Sequence, residues 1–192
     1  MQTTNSGIVP STFPRGTGGF MNPDVIVVGL GLKEGMQVAD FGCGAGYFTI
    51  LIANQVGRTG KVKALDVQEA PLDSVRIKAK AAGIQNVETI RANLEVIGSS
   101  GISDSTQDLV LLANILFQSS KKELIIKEAV RILKKGGALV IIDWKKSMGG
   151  FGPPDELRTD EEKMKELVQA EGLSLASNID AGQFHFGLIF KK

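Results

Sequence analysis

Residues 38–49 read Val-Ala-Asp-Phe-Gly-Cys-Gly-Ala-Gly-Tyr-Phe-Thr. An apolar run carries a carboxylate, Asp40, near its end, and Gly42, Gly44 and Gly46 follow at alternate positions around Cys43. Backbone without Cβ turns tightly and lies close against a ligand. A helix that begins just after such a turn offers unpaired N–H groups to an anionic group. The chemistry that this combination serves is the holding of a nucleoside-type cofactor. A second carboxylate, Asp66, ends the next apolar run, where it is placed to accept hydrogen bonds from two ribose hydroxyls. Asn93-Leu94 follows the third such run. A glycine loop alone is weak evidence; loop, acid and strand–helix–strand context together are considerably stronger.

The elements that must position these groups follow from periodicity. Strands are predicted over 36–41, 61–66, 86–91, 108–113 and 138–143, and helices between them over 46–56, 71–82 and 121–134. Lys134-Lys135-Gly136-Gly137 reads as a basic helix end and a glycine stop. A short helix is expected over 23–32, with Asn22 or Asp24 as its cap and Pro23 in its first turn, against the β-branched run Val25 to Val28. Another short helix is expected at 94–98 and a polar one over 155–171. Strands over 173–178 and 183–191 close the chain; in the second, Phe184, Phe186, Leu188 and Phe190 alternate. Alternating strands and helices require an α/β fold with a mostly parallel sheet and helices on both faces. The ligand of such a sheet sits beyond the carboxyl ends of its strands, so the loops 42–46, 66–70, 92–97, 114–120 and 143–155 are expected to border the site, with Asp180, Gln183 and His185 near it.

Length and composition bound the rest. The 192 residues suffice for one domain, and we expect a mobile arm over 1–21 followed by a single domain over 22–192. Formal net charge is +1, which leaves no basic footprint for nucleic acid. One cysteine and one histidine argue against a disulfide framework and against a metal site. No signal-like segment is visible, and the apolar runs at 25–32 and 109–117 are too short to span a bilayer. The expected setting is the cytoplasm, the expected state a monomer or homodimer, and the expected partner a small molecule.

Asp40-x-Gly42-x-Gly44-x-Gly46, Asp66 and the block Asp108 to Gln118 resemble the class I S-adenosylmethionine-dependent methyltransferases, over about residues 20–192. Gly35-Met36, Gly42 to Thr49, Gly60-Lys-Val and Lys135-Gly-Gly are similar to the small ubiquinone/menaquinone-biosynthesis group of that family. The resemblance implies a Rossmann-like, seven-stranded sheet whose seventh strand runs antiparallel between the fifth and sixth. It implies S-adenosyl-L-methionine as cofactor, its methionine end held by backbone around Gly42, Cys43, Gly44 and Gly46 and its ammonium by Asp40. Asp66 would hold the ribose, Val67 would pack on adenine, and Asn93 and Leu94 would meet the adenine edge and face. The family often carries Asp where this chain has Asn93; an amide still accepts from an exocyclic amine. Asn114 would approach the methionine moiety and the acceptor, and Tyr47, with Phe20, would flank the sulfonium. Cys43 reads as a small loop filler rather than a nucleophile, since no base accompanies it.

Methyl transfer needs a general base only when the acceptor must lose a proton. Asp143, at the end of the fifth strand, and His185 are the candidates; Trp144 and Arg158 are candidates for the acceptor pocket. Three other readings compete. Val25 to Gly35 imitates a dinucleotide fingerprint, which would imply an NAD(P)-dependent oxidoreductase, but the run after its glycines is strand-like where that motif needs a helix. Asn114-Ile-Leu-Phe117 stands where nucleic-acid amino-methyltransferases carry Asn-Pro-Pro-Phe, without either proline, so a nucleic-acid or protein acceptor is a lesser alternative. The chain could also bind the cofactor as a non-catalytic subunit.

Overall fold

A computed structural model describes residues 21–147 and 152–192. The expected arm over 1–21 lies outside these residues except for Met21, as does Phe20. In chain order the elements are α1 (Pro23–Gly29), β1 (Gln37–Phe41), α2 (Tyr47–Gln55), β2 (Lys61–Asp66), α3 (Glu69–Ala81), β3 (Val87–Arg91), β4 (Gln107–Ala113), α4 (Lys122–Ile132), β5 (Leu133–Trp144), α5 (Glu161–Ala170), β6 (Ser174–Ile179) and β7 (His185–Lys191).

Among the described residues the strands form one seven-stranded sheet in the order β3-β2-β1-β4-β5-β7-β6. β1 pairs in parallel with both β2 and β4, and β7 runs antiparallel to β5 and β6. β1, β4 and the later part of β5 are covered on both faces and read as nearly unbroken apolar runs, whereas β2 and the edge strand β3 carry Lys61, Lys63, Glu88 and Arg91. Period-two alternation then divides each run. Phe41, Val110, Leu112 and Ile141 enter one core with Ile126 of α4 and Val168 of α5. Val38, Leu111, Val140 and Ile142 enter the other with Ile26 of α1 and Ile52 of α2. The chain leaves β1 toward β2 on one side and meets β4 on the other. The crevice of an open α/β sheet lies at such a reversal.

Several boundaries differ from expectation, each for a local reason. Residues 94–98 form turns instead of a helix: the Asn93 side chain accepts the Glu95 N–H (3.0 Å) and its carbonyl accepts the Val96 N–H (3.0 Å). The helix expected from 155 begins at Glu161, because the Asp160 carboxylate accepts the N–H groups of Glu162 and Lys163 and caps it there; Asp155–Leu157 is a single 3-10 turn. The glycine stop at 134–137 is instead the start of β5, where Gly136 N–H donates to the Lys192 carbonyl at 2.8 Å. α1 does form, with the Asn22 side chain accepting the Asp24 N–H and Ile26 and Val27 buried. The imitation fingerprint is therefore helical where that motif needs a strand. No helix among the described residues is long and apolar enough to cross a membrane.

Leu111 lies fully buried on β4 between β1 and β5. Leu111→Ala is expected to destabilise the fold by about 2–5 kcal/mol, read as a lowered urea midpoint with an unchanged denaturant slope.

Candidate functional site

Beyond the carboxyl ends of β1, β2, β3 and β4 opens a cleft of about 660 Å³. Its floor is the turn after β1. Gly42 and Cys43 both donate their N–H groups to the Leu65 carbonyl (2.8 and 2.9 Å), and Gly46 N–H returns to the Cys43 carbonyl (2.9 Å). Gly42, Gly44 and Gly46 all have positive φ, where other residues are strained. They differ in what surrounds them. A Cβ on Gly42 would meet Ile115 at 2.6 Å, and one on Gly46 would meet Val75 of α3 at 2.7 Å. A Cβ on Gly44 would meet nothing within 4 Å, because that residue faces the open cleft. Two of the glycines thus serve close packing, and the third leaves backbone exposed to a ligand.

Two carboxylates stand beside this turn. Asp66 accepts the Gly44 N–H through Oδ2 (3.2 Å) and the Gln68 N–H through Oδ1 (3.0 Å). Each oxygen keeps a lone pair for another donor. Asp40 is buried and accepts the Thr49 hydroxyl at 2.5 Å. Burial pushes its carboxyl up to about 6, opposed by the Thr49 hydrogen bond and assisted by the nearby charge of Asp66. The Cys43 thiol is pushed up by burial and then by Asp40 and Asp66, so it is not a thiolate. Lys78 of α3 donates to the Ala45 carbonyl (2.6 Å) with its ammonium 3.9 Å from the centre of the Tyr47 ring.

The facing walls come from the loops after β2, β3 and β4. Val67 is largely exposed at the cleft, while Leu94 is buried in its wall. Glu95 accepts the Ser119 hydroxyl (2.7 Å), joining the loop after β3 to the loop after β4. Asn114 has φ of 55°, its N–H held by the Ile142 carbonyl (2.9 Å) and its own carbonyl by the Gln118 side chain (2.8 Å). With its backbone fixed on both sides, its side-chain oxygen is buried without a hydrogen-bond partner. A buried acceptor in a cleft wall, on a backbone in an unusual conformation, is a mark of a functional position.

Asp40, Gly42, Cys43, Gly44, Tyr47, Asp66, Val67, Asn93, Leu94 and Asn114 all line this cleft, and Gly46 shapes its floor. Asp143 and His185 do not line it. Asp143 accepts the Phe117 N–H (3.1 Å) and the Trp144 N–H (2.8 Å), and burial raises its carboxyl to about 6 against those two bonds. His185 pairs across the sheet with Trp144, their rings 4.1 Å apart, and both its nitrogens are buried without partners. Burial, then the charges of Lys145 and Arg158, lower it to about 4. Sequence reasoning missed Thr49, Lys78 and the Glu95–Ser119 link, which join residues distant in sequence and leave no periodic trace. It also passed over Glu128, an acid at the Ile125, Ala129, Ile132 stripe of α4; a charge on an apolar stripe was the available signal. Among the described residues no group of acids, cysteines and histidines is placed to hold a metal ion.

Comparison with known proteins bears on this arrangement. Residues 32–185 match the family model for a methyltransferase domain. The chain is 33% identical over 117 residues to the ubiquinone/menaquinone biosynthesis C-methyltransferase UbiE of Escherichia fergusonii, covering 60% of this chain and 45% of that protein. It thus spans less than half the length of that curated relative. Among solved structures it is similar to a SAM-dependent methyltransferase from Aquifex aeolicus, with a TM-score of 0.80 and 31% identity over 89% of each chain. The [4+2]-cyclase SpnF shares the fold at a TM-score of 0.71 and 21% identity, over 83% of this chain and 59% of its own.

The buried carboxyl of Asp40 gives a pH-dependent stability with a defined sign. Its folded value lies above the ordinary 3.8. The folded state therefore binds the proton more tightly, and stability is lost as pH rises from about 4 to about 6. Asp40→Asn is expected to match the parent near pH 4 and to exceed it by about 1–3 kcal/mol at pH 8. Parallel urea titrations at the two pH values check this.

Proposed function

The chain belongs to the methyltransferase-domain family, and on that premise we propose that it transfers a methyl group from S-adenosylmethionine to a small-molecule or lipid-like acceptor, best represented by a quinone-type ring. The observation that supports the donor is the cleft at the β1/β4 reversal, where glycine backbone at positive φ faces the carboxylates Asp40 and Asp66. The acceptor class rests on the resemblance to the quinone-biosynthesis methyltransferases. A formal charge of +1 favours a small acceptor over nucleic acid.

The residues present fit the donor part by part. The exposed backbone at Gly44 would lie against its amino-acid portion. Asp40 would meet the ammonium with the oxygen that Thr49 does not hold. The remaining lone pairs of Asp66 would take the ribose hydroxyls, Val67 would cover one face of the adenine, and Asn93 and Leu94 would close its edge and other face. When bound, this donor supplies a methyl carbon already activated on a sulfonium, so the enzyme's task is alignment and exclusion of water.

The buried oxygen of Asn114 would receive a donor group from either substrate at the boundary between them. For an acceptor that must lose a proton, we assign the base to the Asp143 and His185 region. Each Asp143 oxygen holds one backbone N–H and keeps a lone pair, and neither His185 nitrogen has a hydrogen-bond partner among the described residues. Burial holds the His185 imidazole neutral, near 4, which makes it the weaker base, while Asp143, raised to about 6, is the better matched to physiological pH. Neither residue lines the cleft, so either would act on an acceptor that extends past Asn114 along the sheet edge.

Asp66→Ala removes charge-assisted acceptors and is expected to weaken S-adenosylhomocysteine binding by about tenfold or more, measured by calorimetry. Unchanged affinity would overturn the ribose assignment. Transfer of a labelled methyl group from S-adenosylmethionine to quinol-type rings, with none to RNA or peptide, is the expected result of an acceptor panel. Methylation of RNA or peptide alone would refute the acceptor class.

A further inference from the structure

The connection between β3 and β4 brings Asn93, Leu94 and Glu95 to the cleft while containing neither helix nor strand. Its course must be set from outside. We propose that Glu128 of α4, which does not line the cleft, is the positioning residue for this wall and acts on it through the backbone and hydroxyls of residues 98–100. The proposal rests on reading the cleft as the donor site.

Glu128 is fully buried, and both its oxygens are committed. Oε2 accepts the Gly98 N–H (2.8 Å) and Arg131 Nε (2.8 Å), while Oε1 accepts the Ser100 hydroxyl (2.5 Å) and Arg131 Nη2 (2.7 Å). Arg131 extends the grip along the same loop by pairing with Asp104. The loop is thus held at 98, 100 and 104 by one ion-paired cluster. Between the first two lies Ser99, whose hydroxyl donates to the Asn93 carbonyl at 2.5 Å. That carbonyl also takes the Val96 N–H, and the Asn93 side chain takes the Glu95 N–H. Every link from the buried carboxylate to the cleft wall is therefore a direct hydrogen bond or a covalent neighbour.

A role in merely attaching α4 to the sheet does not account for this geometry. Ile125, Ile126, Ala129 and Ile132 bury the helix face already, and apart from Arg131 the hydrogen bonds of Glu128 go to loop groups, Gly98 and Ser100. A buried charge is costly unless every lone pair is answered. Here the answering donors outweigh the cost: burial acts to raise the carboxyl, yet Arg131, Gly98 and Ser100 bring it down to about 2. The cluster stays ionised across the working pH range, so the wall keeps its position.

Calorimetry with S-adenosylhomocysteine and with adenosine, on the parent, Glu128→Gln and the milder Ser99→Ala, tests this. Both variants are expected to bind both ligands about 2- to 30-fold more weakly, by the range typical of mutations coupled to a site they do not touch. An equal loss for adenosine at unchanged calorimetric stoichiometry places the effect on the nucleoside side, because a general loss of folded protein would lower the stoichiometry for both ligands. Deuterium exchange at 93–99 should quicken in each. Folded variants that bind like the parent overturn the positioning role and leave the donor reading standing. A parent that binds neither ligand overturns the donor reading, and the proposal with it.

Discussion

The cleft depends on one carbonyl. Leu65 lies opposite Phe41 in the β1–β2 register, and its oxygen receives the N–H groups of both Gly42 and Cys43. A peptide oxygen has two lone pairs, and both are used on consecutive donors. That pair of hydrogen bonds bends the chain sharply off the end of β1. It also brings Gly44 to the Asp66 carboxylate one residue past Leu65. The geometry of the floor is thus a consequence of sheet register. A slip of β2 by one residue would turn Asp66 to the opposite face and remove the carbonyl. Val75 and Ile115 then close the turn from both sides, each against a glycine with no space for a side chain.

The same turn concentrates negative charge. Asp40 and Asp66 are near enough for the second to raise the first, and both disfavour a thiolate at Cys43. The cation that approaches, Lys78, is engaged by the Ala45 carbonyl and the Tyr47 ring, and its ammonium is itself partly desolvated. A site that holds a buried carboxylate at a cost in stability has a use for it. The ammonium and sulfonium of the proposed donor are the complementary charges. Tyr47, already beside one cation, shows that the ring face is available to positive charge.

Much of this was legible in the residues. The mostly apolar runs at 36–41 and 108–113, with the alternation of strand-like and helix-like segments, announced parallel strands. Three glycines after Asp40, with Asp66 beyond, located the floor of the cleft. The alternation of Phe186, Leu188 and Phe190 implied a final strand, and the family resemblance implied its antiparallel direction. What stayed hidden was set by contacts between distant residues. The start of α5 was displaced because Asp160, one polar residue among several, won the capping position. Gly136 and Gly137 looked like a stop and proved to be an extension, since Lys192, just past β7, exchanges backbone hydrogen bonds with both. The Glu128 cluster draws on four places in the chain, and only the acid on an apolar stripe hinted at it.

The division between legible and hidden parts follows the division of labour in the molecule. The donor side is built on strand ends, whose positions register and periodicity determine, and its chemistry is that of a single ligand. The proposed acceptor side would draw on Asn114 and the turn after β4, where no periodicity operates, and on Trp144 and His185 at the ends of β5 and β7. A shared fold does not transmit that side's chemistry, and SpnF, described as a cyclase, has the same architecture. Strand ends can therefore be kept while connecting loops change, and the reaction can change with them. In this chain the unpaired oxygen of Asn114 and the unpaired ring of His185 are the polar groups on that side that the fold itself leaves unanswered among the described residues. Asn114 lines the cleft, and His185 lies outside it beside Trp144. Burying them without partners carries a cost that backbone packing alone does not require, which is the physical ground for looking to the acceptor to satisfy them.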